Sequence, residues 1–521
     1  MTRAGRLARR IGLPLFGGAL VGCSLPPVSF WPLGVLGMAA VVTALKGRPL
    51  GGRLAAGLWA GLGQFAIGIA WAIQFNAAGY VVLVVVESLI VAVCAALVPP
   101  SGPLRVPAAA AAFTLAEWVR ESWPFGGLPL GSAALGQIGG PLQFAARLGG
   151  PLLVVFVLAL SGGALGELVL VGLARGRRGD EGSSASLFGS LSCLVAAAAL
   201  AGAGAVTGPT VSAGAPHLSV AVVQGGGQRG LSQLQVPPSR VFEAALRETA
   251  RVSGHPSLIL WPEDVVAMGP TRFVGSQAEA LLAAVARERH ATLVAGVTED
   301  VGATRFRNEV VALSPSGRLV ATFEKVHRVP FGEYVPYRSF FSHFANLRDV
   351  PRDAIPGHGS GMIATPAGRF AVLVSYEVFF AERGRSGVRA GGRLILVPTN
   401  TSSYSSSQAP AQEIAASRLQ AIEEGRYLLQ AAPTGYSAVI SPSGAVLQRT
   451  PLSVPAVLEA SVPLLSTPTP FEESGELPVL VASALLVLLA WLVRAPRNAG
   501  EDGGEPVGRR AKVRRVPVPP T

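Results

Sequence analysis

Three short stretches of the chain carry side chains that could do acyl chemistry. The first is Phe370-Ala-Val-Leu-Val-Ser375-Tyr376-Glu377, a run of β-formers ending in a small hydroxyl, an aromatic ring and a carboxylate. A strand that delivers a Ser to its C-terminal end, with a Glu two residues on, is one way to set a nucleophile at a sheet edge. The second is Leu258-Ile-Leu-Trp-Pro-Glu263, an apolar strand that also ends in a carboxylate. The third is Thr322-Phe-Glu-Lys325-Val-His-Arg-Val-Pro-Phe-Gly-Glu333, with a Lys and then a Glu eight residues later. A carboxylate beside a nucleophile can take its proton and return it. A fixed ammonium can hold the negative charge that develops on the nucleophile and on the oxyanion of acyl transfer. Each has a plainer alternative: Glu263 as a solvated turn carboxylate, Lys325 as a surface lysine paired with Glu324, Ser375 as an ordinary strand end. Their joint occurrence favours the functional reading. With a base already in the scheme, His327 is read as structural.

Glu, Lys and a nucleophile on three successive strand ends resemble the Glu-Lys-Cys triad of the nitrilase superfamily. The details are similar to its membrane-bound branch, the apolipoprotein N-acyltransferase family. The matching residues are Trp261-Pro-Glu263, Lys325-x-His327-x-Val-Pro-Phe-Gly-Glu333 and Tyr376-Glu377. The family has Cys at the nucleophile position, where this chain has Ser375. The resemblance implies Glu263 as general base, Lys325 as charge and oxyanion partner, and residue 375 as nucleophile. Glu333 and Glu377 would support the site and orient the Lys and the base. Gln224, and Asn400 and Tyr404 of Val397-Pro-Thr-Asn400-Thr-Ser-Ser-Tyr404, match positions expected on the substrate side. Gln412, Arg418-Leu-Gln-Ala421-Ile-Glu423-Glu-Gly425-Arg426 and Gly435-x-Ser437 extend the likeness.

The reaction so implied is ping-pong, with no cofactor and no metal. A membrane phospholipid is the acyl donor. The acceptor is the free α-amine of the diacylglyceryl-modified N-terminal Cys of a lipoprotein. Two other readings stay open. One is a non-catalytic relative that binds lipid or lipoprotein, because a thiol ionises near about pH 8.5 whereas a Ser hydroxyl is far less acidic. The other is a membrane amidase or hydrolase that passes the acyl group to water.

The elements that must position these residues follow from composition. Half of the 521 residues are hydrophobic and only 14% are charged. The mean hydropathy of +0.45 is too high for an ordinary soluble protein. Apolar stretches run near 11–25, 29–45, 54–75, 78–98, 106–119, 148–174, 187–207 and 477–493. Most are near the ~20 residues needed to cross a bilayer, which predicts about eight spans. The net charge of +12 lies largely in clusters beside these stretches, and reads as topology information and anionic-lipid contact rather than a nucleic-acid surface. Arg3 to Arg10, Lys46/Arg48/Arg53, Arg105, Arg175/Arg177/Arg178 and Arg494 to Arg515 mark alternate connections.

The predicted organisation is therefore a transmembrane part at 1–208 with about seven helices, an extracytoplasmic part at 209–476, a last helix at 477–494 and a basic, disordered cytoplasmic tail at 495–521. Both termini would face the cytoplasm from the cytoplasmic (inner) cell membrane. Leu20-Val-Gly-Cys23 looks like a lipobox, but the apolar segment that follows at once favours a retained helix. Cys23, Cys94 and Cys193 all lie in apolar segments, so none can readily replace a nucleophile at 375.

Within 217–463 the pattern alternates. Strands are expected at His217–Gln224, Leu258–Leu260, 291–296, 308–313, 369–374, 394–398, 427–432 and 438–440, and helices at 239–252, 276–289 and 408–424, the last ended by Gly425. This predicts an α/β fold, and the resemblance specifies a two-sheet αββα sandwich. The Trp123-Pro-Phe-Gly-Gly and Leu135-Gly-Gln stretch of an outer loop at 120–147 also looks like the family, and the plainer reading of its aromatics is an interfacial belt. The aromatic loop from Tyr334 to Phe344 reads equally as a lid on the bilayer or a packed insert.

Overall fold

A computed structural model of the chain describes residues 8–175, 183–211, 214–227, 236–343, 347–348, 350–402 and 408–493. Each of the eight apolar stretches forms a helix: α1 Leu13–Ser24, α2 Pro32–Leu45, α3 Leu50–Gly68, α4 Ala77–Ala96, α5 Arg105–Ser122, α6 Ala146–Arg175, α7 Ser183–Val206 and, after the sandwich, α14 Leu477–Leu492. Three helical segments, Ala77–Ala96, Pro141–Leu173 and Ser186–Val206, are long and apolar enough to cross a membrane by length and composition. The others are shorter, or, like α5 with Arg105, Glu117, Arg120 and Glu121, carry charge.

The bundle packs through small residues. A Cβ added at Gly18 of α1 would lie 1.9 Å from the Ala60 carbonyl oxygen, and one at Gly63 of α3 would lie 2.2 Å from that of Leu15. Only glycine allows such backbone contact, a common basis of helix association in lipid. Some buried charges of the bundle are paired, as Arg120 with Glu87 and Glu117 and Arg105 with Glu167, while buried Arg147 donates to the Gly204 and Pro442 carbonyls.

Between the helices lies a sandwich of two sheets. Its strands are β1 His217–Gln224, β2 Leu258–Leu260, β3 Val266–Ala267, β4 Thr292–Val301, β5 Arg305–Leu313, β6 Leu319–Glu324, β7 Asp353–Ala354, β8 Met362–Thr365, β9 Gly368–Val372, β10 Ile395–Pro398, β11 Leu428–Ala431, β12 Ala438–Ile440, β13 Val446–Arg449 and β14 Ala456–Pro463. The first sheet runs β14-β1-β2-β4-β5-β6, with β3 on β4 and β7 on β5; the second runs β13-β12-β11-β10-β9-β8. Its helices are α8 Pro238–Thr249, α9 Gln277–Arg289, α10 Arg338–Phe341, α11 Ala381–Arg389, α12 Gln408–Glu424 and α13 Pro470–Ser474.

Alternation along the strands sorts the side chains into layers. Val220, Val222, Leu258 and Leu260 of the first sheet meet Phe370, Val372, Leu396 and Leu429 of the second. The opposite face of the first sheet, with Ala221, Val223, Ile259 and Leu293, packs on α8 and α9. The opposite face of the second sheet, with Ala371, Leu373, Ile395 and Val397, joins Ile414 and Leu419 of α12 and the helical bundle in one core. This αββα order, with α12 wedged between sheet and bundle, brings the site to the bundle's edge.

The strand expected at 308–313 begins at Arg305, because β4 and β5 pair as a hairpin from Leu293↔Leu313 out to Val301↔Arg305. The strand expected to reach Val374 ends at Val372, where the chain enters the Ser375 turn. Strands β3, β7, β8, β13 and β14 were not anticipated, and β6 was implied only by the strand end at Lys325; β14 pairs antiparallel with its neighbour β1 although the two are far apart in sequence, a contact with no local signature. The basic tail and Tyr404 lie outside the described residues.

Candidate active site

Glu263 follows β2 by way of Trp261, whose fully buried indole donates from Nε1 to Thr249 Oγ1 at 2.9 Å. Lys325 follows β6 directly, and its backbone N–H donates to Asn308 O at 2.8 Å across the β5–β6 pair. The Lys325 ammonium donates to Glu263 Oε1 at 2.9 Å and to Glu333 Oε1 at 2.8 Å. Asn308 Nδ2 donates to the same two oxygens at 2.8 and 3.1 Å. Glu333 Oε2 takes the Val329 N–H at 2.8 Å. Lys325 is 2% exposed and Glu263 4%, so this is a buried knot of one cation, two carboxyls and an amide.

Burial is the largest influence on both ends of the knot. It pushes the Glu263 carboxyl above its ordinary range, with Lys325 opposing and Glu333 adding. Burial also opposes the Lys325 charge, but Glu263 and Glu333 outweigh it and hold the ammonium above its ordinary value.

The second sheet carries the hydroxyl. Ser375 opens a single helical turn, Ser375–Phe379, with φ +52°, a left-handed conformation that is uncommon outside glycine and recurs at functional sites. Its side chain is half-buried. Glu377, fully buried, accepts the Val374 N–H at 2.9 Å on Oε2 and the Val326 and His327 N–H groups at 2.9 and 3.1 Å on Oε1. Its carboxylate therefore stitches the Ser375 turn to the segment that follows Lys325. Arg383 Nε lies 3.4 Å away and completes its surroundings.

Ser375 Oγ accepts a hydrogen bond from Thr399 Oγ1 at 3.3 Å, and Thr399 in turn bonds the Glu413 carboxyl of α12. Among the described residues, Thr399 is the hydrogen-bond partner of the Ser375 hydroxyl, not Glu263 or Lys325. Asn400 Nδ2 lies 3.4 Å from Asp264 Oδ2, which ties its loop to the residue after Glu263. Gln224 is placed differently. Its amide accepts from Ser437 and Thr450 and donates to the Pro451 and Val454 carbonyls, all within 2.9 Å, so its polar atoms are engaged by the framework. His327 stacks on Phe380 at 4.3 Å, and burial, with Arg383 adding, lowers its pKa to about 4. It is neutral near pH 7.

The aromatic loop of the bundle that follows α5 reaches the site. Tyr376 donates from its hydroxyl to Gly127 O at 2.9 Å, and Tyr334 donates to Phe125 O at 3.0 Å. Between them is a cavity of about 170 Å³ lined by Phe125, Gly127, His327, Tyr334, Tyr376 and Phe380 among others. Phe125 also meets Phe331 and Phe341 edge to face, so the loop after Glu333 packs onto the bundle while Tyr337 and Phe340 stay exposed. On α12, Gln408 and Gln412 donate to the Ile67 and Gly68 carbonyls of the bundle at 2.8 and 2.6 Å.

The structure thus gathers Glu263, Lys325 and Glu333 in one knot and holds Ser375 and Glu377 on the adjoining turn. Asn308, Thr399 and Glu413 belong to the same network, and sequence reasoning passed over them. The available signal was weak: an Asn between Arg307 and Glu309 in a strand, and a Glu on a helix whose neighbours Gln412, Ile414 and Ala415 are buried.

Comparisons with known proteins identify the family. Residues 17–164 match the family model of the apolipoprotein N-acyltransferase N-terminal domain, and residues 220–467 match that of carbon-nitrogen hydrolase. The chain is 30% identical over 519 residues to the apolipoprotein N-acyltransferase of Azotobacter vinelandii, covering 94% of this chain and 96% of that one. It is 29% identical over 386 residues to the apolipoprotein N-acyltransferase of Mycolicibacterium smegmatis, covering 70% and 65% respectively. An amidase from Nesterenkonia sp. aligns in structure with a TM-score of 0.37 and 22% identity, over 52% of this chain and 98% of that one. The sandwich is of the carbon-nitrogen hydrolase, nitrilase-like class. Joined to its N-terminal helical part, it makes this chain a member of the apolipoprotein N-acyltransferase family.

Proposed function

We propose that the chain N-acylates the N-terminal diacylglyceryl-cysteine of lipoproteins, taking the acyl group from a phospholipid and carrying it on Ser375. The observation that carries this reading is the buried Glu263–Lys325–Glu333 knot, stitched by Glu377 to the left-handed turn that presents Ser375. In the first half-reaction Ser375 Oγ attacks the ester carbonyl carbon, and its proton passes to the Glu263 carboxylate. The Lys325 ammonium stabilises the oxyanion. The bond to the glycerol oxygen breaks, and Glu263 returns the proton to that oxygen as the lysophospholipid leaves. In the second half the lipoprotein α-amine attacks the acyl-Ser carbon and gives up a proton to Glu263. The C–Oγ bond breaks, and Ser375 is restored with that proton.

Both substrates are lipids, and the site's contacts with the bundle through Gly127 and Phe125 support delivery from the bilayer edge. The apolar helices and the alternating basic connections support a multi-pass protein of the cytoplasmic membrane, with both termini inside and the sandwich outside. Glu333 and Glu377 act as supports for Lys325 and the turn, and Asn400 holds the loop on the substrate side.

One observation favours a second reading, a lipid or lipoprotein binder: the Ser375 hydroxyl bonds Thr399 rather than the base. The two separate in reconstituted vesicles given a diacylated lipopeptide. The enzyme reading expects N-acylated lipopeptide from the wild type and none from Ser375→Ala. Product from neither, with product from Ser375→Cys, identifies an intact scaffold that does not acylate. Free fatty acid without acylated lipopeptide identifies a hydrolase.

A further inference from the structure

The Ser375 turn has a second set of partners, separate from the hydrogen bonds of the charged knot. Thr399 Oγ1 is placed to donate to Ser375 Oγ at 3.3 Å and also contacts Glu413 Oε1. A hydroxyl has one proton, so it cannot donate to both. If the Glu413 carboxyl is ionised, it takes the Thr399 proton. If the carboxyl is protonated, it donates to Thr399, and Thr399 is free to donate to Ser375. Only the second arrangement leaves the Ser375 proton pointing away from Thr399.

We infer that Glu413 and Thr399 form a carboxyl–hydroxyl chain that aims the Ser375 proton at the base, which makes both of them positioning residues for the nucleophile. The inference rests on Ser375 being that nucleophile. The surroundings fit it. Glu413 is 2% exposed, Thr399 is fully buried, and Glu413 Oε2 has no hydrogen-bond partner among the described residues. Burial, opposed by the Thr399 hydrogen bond, raised by Glu263 and lowered by Lys325, pushes the Glu413 carboxyl up to about 8, so it holds its proton near neutrality. Several other charged groups on the elements around α12 are engaged elsewhere, and Glu423 and Glu424 lie at the C-terminal end of that helix. Glu377 bonds backbone N–H groups, Arg147 of α6 bonds Pro442 O, and Arg385 of α11 bonds Glu382. Glu472 of α13 bonds Arg426 at the far end of the helix.

The sign follows. The group is protonated below about pH 8, so the productive orientation is present there and is lost as pH rises through that value. The test is labelling of Ser375 in the full-length protein in detergent micelles with an alkyl fluorophosphonate. The Oγ–P bond forms, the P–F bond breaks, fluoride leaves and the Oγ proton is released. Mass spectrometry of the Ser375 peptide gives the rate.

The wild-type rate should fall about ten-fold between about pH 7 and pH 9. Glu413→Gln, whose amide can donate at any pH, should start about three-fold lower and show no fall. Thr399→Val should lose about ten-fold throughout, and Thr399→Ser should restore most of it. The inference is overturned if Glu413→Gln keeps the alkaline fall, if Thr399→Val labels within two-fold of wild type, or if the wild-type serine is not labelled at any pH. Labelling that follows the expected pattern without phospholipid acyl transfer keeps the chain and rejects the transferase. Acyl transfer through Ser375 that ignores Glu413 does the reverse.

Discussion

The two sheets of the sandwich contribute halves of the site that differ in kind. The first sheet brings charge: Glu263, Lys325 and Glu333, cross-linked with Asn308 so that one cation and one amide share two carboxylate oxygens. The second brings hydroxyls: Ser375 and Thr399, backed by Glu413, with single contacts between successive groups and one carboxyl oxygen unmatched. The charged half is over-determined, and the loss of one member leaves a buried charge exposed to low dielectric. The hydroxyl half is held lightly, and its geometry depends on which atom carries a proton. On the proposed reading, such a site sets a rigid charged half beside a nucleophile whose orientation is adjustable.

The largest effect that could break this contrast is at Lys325. Lys325→Met leaves the buried Glu263 and the partly buried Glu333 without their cation, with Asn308 as the shared donor that remains. It should abolish the acyl adduct, a loss of ~10²-fold or more, and lower stability by about 3–5 kcal/mol in thermal or denaturant unfolding. Glu263→Gln should cost as much activity and less stability, because an amide keeps hydrogen bonds to Lys325 and Asn308. Activity within a few-fold of wild type for either variant would remove the charged half from the mechanism.

Next comes the stitch between the halves. Glu377→Ala frees the N–H groups of Val326, His327 and Val374, each a lost charge-assisted bond. Acylation should fall about 10²-fold with a stability loss of about 2–4 kcal/mol. If unfolding shows that loss but acylation per folded molecule is unchanged, the halves do not need to be held together.

A smaller effect is expected at Asn308. Asn308→Ala removes one donor from a knot that retains Lys325, and should cost about ten-fold in the first half-reaction. Measuring burst and steady-state phases separately shows whether the loss falls there. The smallest is at the junction with the bundle. Gln412→Ala removes two hydrogen bonds to Gly68 and Gly131 and should cost about 1–2 kcal/mol of stability, with acylation changed less than about three-fold.

The contrast between the halves also explains what was legible in the sequence. Charged residues at the ends of apolar strands stand out, because burying a charge without a partner is expensive. Glu263 and Lys325 could therefore be chosen before their distances were known, and Glu333 was chosen by the resemblance of its motif to the family. The bounds of α12 were legible at both ends, since Gly425 with φ +60° is a natural helix stop. Thr399 and Glu413 gave no such signal: a Thr after a strand and a Glu in a helix are ordinary, and their importance comes only from the fold placing them in line with Ser375. Gln224 was legible as a special position but not for its partners, which arrive from Thr450 and Ser437 far along the chain. The pairing of β14 with β1 was invisible for the same reason. Helix formation by the eight apolar stretches was readable from composition. The length and charge of individual helices, which single out three as sufficient to cross a membrane, depend on where Arg and Glu fall inside them.

The most direct test of the central claim is whether Ser375 carries an acyl group during turnover. The full-length protein, incubated with phospholipid vesicles and no acceptor, is digested and its Ser375 peptide weighed by mass spectrometry. The account predicts an acyl adduct on that peptide, cleaved by alkaline hydroxylamine, discharged on addition of a diacylated lipopeptide, and missing from Ser375→Ala and Glu263→Gln. A wild-type peptide that stays unmodified under conditions in which Ser375→Cys acquires an acyl group would contradict it, and would leave a well-built site whose serine does not act as the nucleophile.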